Sequence, residues 1–227
     1  MSEKWFDCQF ISSQRVGQSY ILLQIKPQTV FDFRSGQYVK LALAGNHEAS
    51  LYLSIASSPQ NRQILEFCLQ IQTQSPIVQS LISNARPNFT VSAPMGKFSI
   101  VDRQKPIHFI AGGSGIAPIR SFLKDFSPQV VTQSVRLIYG CKTAKAIPYH
   151  DELIEMEKKY SQFQLYFVTE SDAKNPVHSG RVIDLLDRFQ DLVDFDHYVC
   201  GPPAMVHLTK AKLINSGVAA SRIFYDG

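Results

Sequence analysis

The sequence has few cysteines, no long apolar run and no run of like charge, and each absence excludes a class of protein. Its four cysteines, Cys8, Cys68, Cys141 and Cys200, lack the paired spacing of a zinc site and the clustered spacing of an iron–sulfur centre. No stretch approaches the roughly 20 apolar residues of a membrane span. No run of about five or six like charges forms a nucleic-acid-binding arm. We therefore expect no metal site, no membrane insertion and no nucleic-acid partner.

The composition is that of a globular protein. The 227 residues are 44% hydrophobic and 19% charged, and this length suits one large or two small domains. The net charge of +4 is spread over both halves, which we interpret as a contribution to solubility. The first residues, MSEKWFDCQF, contain no apolar core of signal-peptide length, so we expect a cytoplasmic protein.

The first half of the chain has an apolar pattern of period two. It is clearest in ILEFCLQI, where Leu65, Phe67 and Leu69 alternate with Glu66 and Cys68, as in a half-buried strand. The segment SPIVQSLIS, from residue 75, predicts one short helix between strands. Turn-forming residues separate similar runs, and together they predict a small antiparallel β-barrel or sandwich. Those runs lie at 20–26, 38–43 and 89–93.

The second half has a different pattern, which starts after VDRQKP at 101–106. The short apolar runs IHFIAG, VRLIYG, QLYFV and DHYVC alternate with segments of helical period. This alternation predicts an α/β domain with an open parallel sheet covered on both faces. We place an N-terminal domain at 1–102 and a nucleotide-binding domain at 103–227. The two clearest helical faces contain Ile119, Phe122, Leu123 and Phe126, and Val182, Leu185, Leu186 and Phe189.

The segment IHFIAGGSGIAPIRSF carries the strongest local signal. A buried strand runs into Gly112, Gly113, Ser114 and Gly115, and Pro118 stands where a helix can begin. Glycines let a phosphate approach bare N–H groups, and a helix N-terminus favours negative charge. This is a plausible site for a dinucleotide pyrophosphate, although the spacing is not the Rossmann G-x-G-x-x-G pattern. A tight turn without a ligand is the alternative.

A second motif, Cys200–Gly201–Pro202–Pro203, also follows a predicted buried strand. Ligands of open α/β sheets bind outside the carboxyl ends of the strands, so we expect both motifs to converge on one crevice. A buried cysteine by itself is more often inert packing.

These features resemble the ferredoxin reductase-type flavoprotein superfamily, particularly its small NAD(P)H:flavin reductases. The resemblance covers nearly the whole chain and rests on a barrel-like half, an α/β half, and GGSGIAP and CGPP in that order. It implies that Cys200, a candidate catalytic residue, lies near the nicotinamide ring with Gly201 and Pro202. It also implies that the pyrophosphate contacts Gly112, Gly113, Ser114, Gly115 and Pro118.

The stretch LYLSIAS, at 51–57, is similar to the second half of the family's flavin strand, R-x-[YF]-S. In relatives the Ser reaches flavin N5, so Ser54 is the first candidate for a catalytic hydrogen bond. Leu51 replaces the Arg that holds flavin phosphate or ribityl oxygens, and Leu53 replaces the aromatic ring, so flavin affinity should fall. Alternation points Tyr52 away from both leucines unless the strand bulges.

Other flavin-side and nucleotide-side positions follow from the same resemblance. Ile55 and Ala56 continue the flavin strand. Pro94 and Gly96 lie in APMGKF, which is similar to a family G-P-x-G-x-F turn, although a plain turn is the alternative. Users of NADPH often carry an Arg where this chain has Glu170. A carboxylate repels the 2′-phosphate and accepts bonds from ribose hydroxyls, which favours NADH over NADPH. A solvated loop residue is the alternative.

The predicted function is an NAD(P)H-dependent flavin reductase. Hydride would pass from nicotinamide C4 to flavin N5, with FAD or FMN as a loosely held substrate. One alternative is an FAD-containing electron-transfer subunit that serves a separate electron-accepting protein. Another is a non-catalytic nucleotide-binding module with a decayed flavin site. Leu51 and Leu53 discriminate among these functions, because side chains that fill the space of the flavin ring would close the site.

Overall fold

The first half folds as an antiparallel barrel. The computed structural model describes residues 4–71, 74–125, 134–174 and 176–226. The barrel strands have the spatial order β4-β3-β6-β1-β2-β5, and the end strands β4 and β5 contact each other. The strands are β1 (Trp5–Val16), β2 (Tyr20–Pro27), β3 (Tyr38–Leu43), β4 (Asn46–Ser54), β5 (Leu65–Gln70) and β6 (Phe89–Ser92).

The predicted short helix is present as α1 (Pro76–Ile82). Ser75 begins it because its Oγ accepts a hydrogen bond from the Ile77 N–H at 3.2 Å, and Pro76 loses nothing in the first turn. The helix buries Ile77 and Val78 against the barrel interior.

The second half is a parallel sheet of order β10-β9-β8-β7-β11-β12. Helices cover both of its faces. Phe109 and its neighbour Ile110 point to opposite faces of the sheet, and each belongs to a different buried hydrophobic cluster. The predicted fold class is therefore confirmed. The elements are β7 (Ile107–Gly112), α2 (Ile116–Asp125), β8 (Val135–Thr143), α3 (His150–Lys159), β9 (Phe163–Ser171), β10 (His178–Ser179), α4 (Val182–Leu185), β11 (Asp196–Cys200), α5 (Pro203–Asn215) and β12 (Ile223–Tyr225).

The chain passes from one sheet to the other between Ser92 and Ile107. This interval contains the change of pattern at 101–106, and we keep 1–102 and 103–227 as the proposed domain division. Among the described residues, no helix has both the length and the apolar character needed to cross a membrane.

Two details of the predicted patterns differ from the structure. Cys68 on β5 is buried and not solvated, because it packs in a hydrophobic cluster shared with the second sheet. The helix predicted to run through Phe189 ends at Leu185 and continues only as a 3₁₀ turn, since Phe189 adopts an extended backbone and stacks on Arg136. Phe126 lies outside the described residues.

Candidate functional site

The two predicted motifs are in direct contact. A Cβ on Gly115 would lie 2.5 Å from the carbonyl carbon of Cys200, and one on Gly201 would lie 3.0 Å from the backbone N of Gly112. The first approach leaves no room for a side chain, and the second is tighter than ordinary van der Waals contact, so a glycine at 115 is required for the two strand ends to meet. The chain order turns back between β7 and β11, which is where ligands of open α/β sheets bind.

Gly113 faces the barrel. Its φ is +55°, and a Cβ there would lie 2.8 Å from the hydroxyl oxygen of Tyr20 on β2. The hydroxyl of Tyr139 donates a hydrogen bond to the Gly113 carbonyl at 3.0 Å. The glycine loop therefore lies between Tyr20 of the barrel and Tyr139 of β8, and Tyr139 is hydrogen-bonded to it.

A central cleft of about 700 Å³ lies between the barrel and the carboxyl ends of the parallel strands. This volume is within the usual range of roughly 300 to 1,000 Å³ for small-molecule sites. The cleft brings together most of the predicted site residues from the two halves. Those that line it are Tyr52, Leu53, Ser54, Gly112, Gly113, Ser114, Gly115, Glu170, Cys200, Gly201 and Pro202.

The other predicted residues do not line the central cleft. Ile55 and Ala56 are fully buried, and Pro118 is buried in the first turn of α2. Gly96 lines a second hollow of about 480 Å³. Pro94 precedes Met95, whose backbone exchanges hydrogen bonds of 2.8 and 3.0 Å with Tyr38.

The side chains of Leu51 and Leu53 pack against the barrel interior. Leu51 is the cross-strand partner of Leu41, and Leu53 is that of Val39; both partners are fully buried. Leu53 also reaches the edge of the central cleft. The two leucines therefore leave the outer face of β4 uncovered.

The outer face of β3 and β4 carries aromatic and charged side chains. Tyr38 pairs with Ser54, and Lys40 pairs with Tyr52, so the four side chains share this face. The Tyr52 side chain is 64% exposed, and its ring centroid lies 6.0 Å from that of Tyr38. The Lys40 ammonium lies 5.6 Å from the Tyr52 ring centroid.

Asp226 is a polar partner of Ser54 that the sequence did not reveal. Burial raises the pKa of the Asp226 carboxyl, and a hydrogen bond with Ser54 opposes that rise. Asp226 also lines the second hollow, beside Tyr38 and Gly96. It follows β12, and no motif in the sequence marks it.

Cys200 is a neutral thiol. Burial, reinforced by the nearby Asp226 carboxylate, raises its pKa to about 12. Nucleophilic attack requires a thiolate, so this environment suits a packing or contact role and not a nucleophile.

The far end of the central cleft contains both signs of charge. Glu170 lines it together with Lys142 and Arg181. Glu170 is exposed, whereas the preceding Thr169 is fully buried, so of these two residues Glu170 is the one available to a ligand. Arg181 lies 3.5 Å from Asp184 and its side chain is 62% exposed.

The chain is similar in sequence to several known proteins. Residues 109–211 match a family model described as an oxidoreductase NAD-binding domain. A probable flavin reductase of Photobacterium leiognathi is 30% identical over 220 residues, with 92% of each chain covered. The reductase component of propane 2-monooxygenase from Mycolicibacterium goodii is 28% identical over 91% of this chain, which spans only 62% of that relative.

The fold is also shared with a solved structure. A ferredoxin NADP⁺ reductase from Neisseria gonorrhoeae superposes with a TM-score of 0.83 over 99% of both chains, at 19% identity. The chain therefore belongs to the ferredoxin reductase-type flavoprotein superfamily, a family of oxidoreductases whose members bind a flavin and a nicotinamide nucleotide.

Proposed function

We propose that the protein is an NAD(P)H-dependent flavin reductase that favours NADH. The observation that carries this proposal is that one cleft is lined by Ser54 of the barrel and by Cys200 and the glycine loop of the parallel sheet. The nicotinamide supplies a hydride and the flavin accepts it, while the protein orients both. A cytoplasmic location remains part of this proposal.

The residues of the cleft fit a nicotinamide nucleotide. The loop at 112–115 leads directly into α2, so its N–H groups and the helix N-terminus favour a pyrophosphate. Ser114 contributes a hydroxyl to the lining. Cys200, as an uncharged thiol, contacts a ring without introducing charge.

Ser54 is the proposed hydrogen-bond donor to the hydride acceptor, and Asp226 is its partner in the fold. Burial raises the pKa of the Asp226 carboxyl above its ordinary value, and the hydrogen bond with Ser54 opposes that rise. In this proposal Asp226 holds the Ser54 hydroxyl in position beside the hydride acceptor.

The outer face of β3 and β4 is the proposed contact for the flavin. Tyr38 and Tyr52 provide the aromatic surface that Leu53 lacks, and Lys40 provides the positive charge that Leu51 lacks. A single ammonium is a point charge and binds phosphate less specifically than the bidentate fork of arginine. We therefore expect the flavin to bind as an exchangeable substrate.

A second candidate function is electron delivery to a separate protein. The similarity to the propane 2-monooxygenase reductase component favours it. It predicts a tightly held flavin and slow turnover with free flavin, whereas the leading proposal predicts the opposite on both counts.

The test is NADH oxidation by the purified protein, first without flavin and then with increasing FMN, FAD or riboflavin. We expect turnover that requires added flavin and saturates with it. Absence of turnover at every flavin concentration would contradict the proposal. Ser54→Ala should lower the hydride-transfer rate without weakening NADH binding, and Ser50→Ala on the same strand serves as its control.

A further inference from the structure

Arg120 connects the two halves of the molecule from inside the fold. It lies on α2, is only 3% exposed, and its Nη1 donates to the Ala56 carbonyl at 2.8 Å and to Glu66 Oε2 at 2.7 Å. Its Nε and Nη2 donate to Glu152 on α3, and its guanidinium lies 4.2 Å from the Tyr149 ring centroid. One side chain thereby joins two barrel residues to two helices of the parallel-sheet half.

The next residue adds a second connection. The hydroxyl of Ser121, which is fully buried, donates to the Ser57 carbonyl at 2.7 Å. Two consecutive residues of α2 therefore bond to two consecutive carbonyls that follow Ser54 closely in sequence. The same helix begins at Ile116, directly after the glycine loop.

The ion pair between Arg120 and Glu66 stabilises this connection. Burial would raise the pKa of Glu66, but the Arg120 guanidinium outweighs that effect, and the pKa lies below its ordinary value. Glu66 is also held by Gln24, whose amide donates to Glu66 Oε1 at 2.8 Å. A buried guanidinium with its donors satisfied in a fixed fork resists displacement, because removing a partner leaves an uncompensated charge.

We propose that Arg120 and Ser121 are positioning residues that fix Ser54 relative to the glycine loop. This inference rests on the proposed function, because the glycine loop orients the hydride donor and Ser54 orients the acceptor. Ser54 and the glycine loop each lie within a few residues of a bond to α2, so this one helix sets the distance between them. A shift of about 1 Å in such a separation can lower a reaction rate about 10²-fold.

The same chain provides a matched control for Arg120. Arg136 is 5% exposed, donates two hydrogen bonds to Asp191 at 3.0 and 2.8 Å, and stacks against Phe189 and Phe195. All four residues belong to the parallel-sheet half. Arg136→Lys therefore removes a buried, bidentate arginine without changing a contact to the barrel.

The experiment compares Arg120→Lys, Ser121→Ala and Arg136→Lys in single-turnover hydride transfer at saturating NADH and FMN. We expect Arg120→Lys to lower the transfer rate about 10- to 100-fold and to change the KM for NADH less than about threefold. Ser121→Ala should lower the rate a few-fold, and the double variant should be non-additive. Arg136→Lys should lower the melting temperature but keep the transfer rate within about twofold.

A second measurement does not depend on flavin. Addition of NADH should slow hydrogen exchange at the amides of residues 54–57 in the wild type, and this protection should be lost in Arg120→Lys and kept in Arg136→Lys. If Arg120→Lys does not fold, Ser121→Ala provides the same comparison.

The inference is overturned if the Arg120 and Ser121 variants transfer hydride at the wild-type rate, or if both arginine variants lose the same fraction of that rate. It is also overturned if NADH gives no protection at 54–57 in the wild type. A wild-type protein that binds NADH and shows this protection, but never turns over with flavin, would contradict the proposed function. It would not contradict the connection between the glycine loop and residues 54–57 through Arg120 and Ser121.

Discussion

Gly115→Ala should separate the two motifs of the nucleotide site. A Cβ at this position would clash with the Cys200 carbonyl oxygen, and it would lie 2.5 Å from the Cys200 carbonyl carbon and 2.7 Å from the Gly201 Cα. These are backbone atoms at the end of β11, where Cys200 is paired with Ala111 of β7. The loop or the strand end must therefore move by about 1 Å to restore ordinary van der Waals contact.

The expected effects follow from that displacement. Overpacking of this kind costs about 1 to 3 kcal/mol, and each kcal/mol lowers the melting temperature of a chain of this size by about 2 to 4 °C. Displacing the pyrophosphate loop by about 1 Å should lower kcat/KM for NADH about 100-fold.

The assay is NADH oxidation at saturating flavin, with thermal unfolding measured in parallel. Gly45→Ala is the control, because Gly45 has φ of +81°, lies in the turn between β3 and β4, and has no atom within 4 Å of the place that an added Cβ would occupy. The control should lose about 1 to 2 kcal/mol through backbone strain and retain wild-type kinetics. A Gly115→Ala protein with wild-type kcat/KM would refute the reasoning.

Three further predictions concern specificity and stability. Glu170→Arg should shift the kcat/KM ratio toward NADPH by about tenfold or more through a charge-assisted pair with the 2′-phosphate, and an unchanged ratio would remove Glu170 from the site. Lys40→Gln should raise the KM for FMN about two- to fivefold, which corresponds to about 0.5 to 1 kcal/mol, and should leave the KM for riboflavin unchanged. The control is Lys4→Gln, since the Lys4 ammonium lies 4.7 Å from the Phe6 ring; it should alter neither KM. Burial lowers the pKa of His197 from 6.5 to about 4, so its stabilising contribution is complete above pH 6.5 and is lost as pH falls toward 4. Urea unfolding should show a loss of at least roughly 3 kcal/mol over that interval, because burial lowers the pKa of the neighbouring His108 as well, and a flat profile would contradict it.

Local patterns predicted that the two motifs of the candidate site would meet, because both lie at strand ends. Parallel strands place their carboxyl ends at one edge, so the motifs at Gly115 and Cys200 had to approach each other. Strand alternation likewise placed Tyr52 on the opposite face from Leu51 and Leu53.

Other members of the site come together only through contacts between distant parts of the chain. Asp226 meets Ser54 because β12 adds to the edge of the parallel sheet next to β11. Arg120 lies inside the segment IHFIAGGSGIAPIRSF, yet its partner Glu66 lies on β5 of the barrel and its partner Glu152 lies in the first turn of α3. Cys68 had the appearance of a solvated position because the pattern of β5 does not show what covers its second face.

The amino-acid order alone was enough to predict an antiparallel half, an α/β half, many of their strands and the meeting of the glycine loop with the Cys200 motif, because period, glycine placement and helix starts are properties of neighbouring residues. The packing of the two halves decided which polar groups meet, namely Ser54 with Asp226 and Arg120 with Glu66 and Glu152. It also showed that Leu51 and Leu53 turn toward the barrel interior and leave the outer face open. Side-chain burial and long-range hydrogen bonds depend on the whole fold, and no local pattern encodes them.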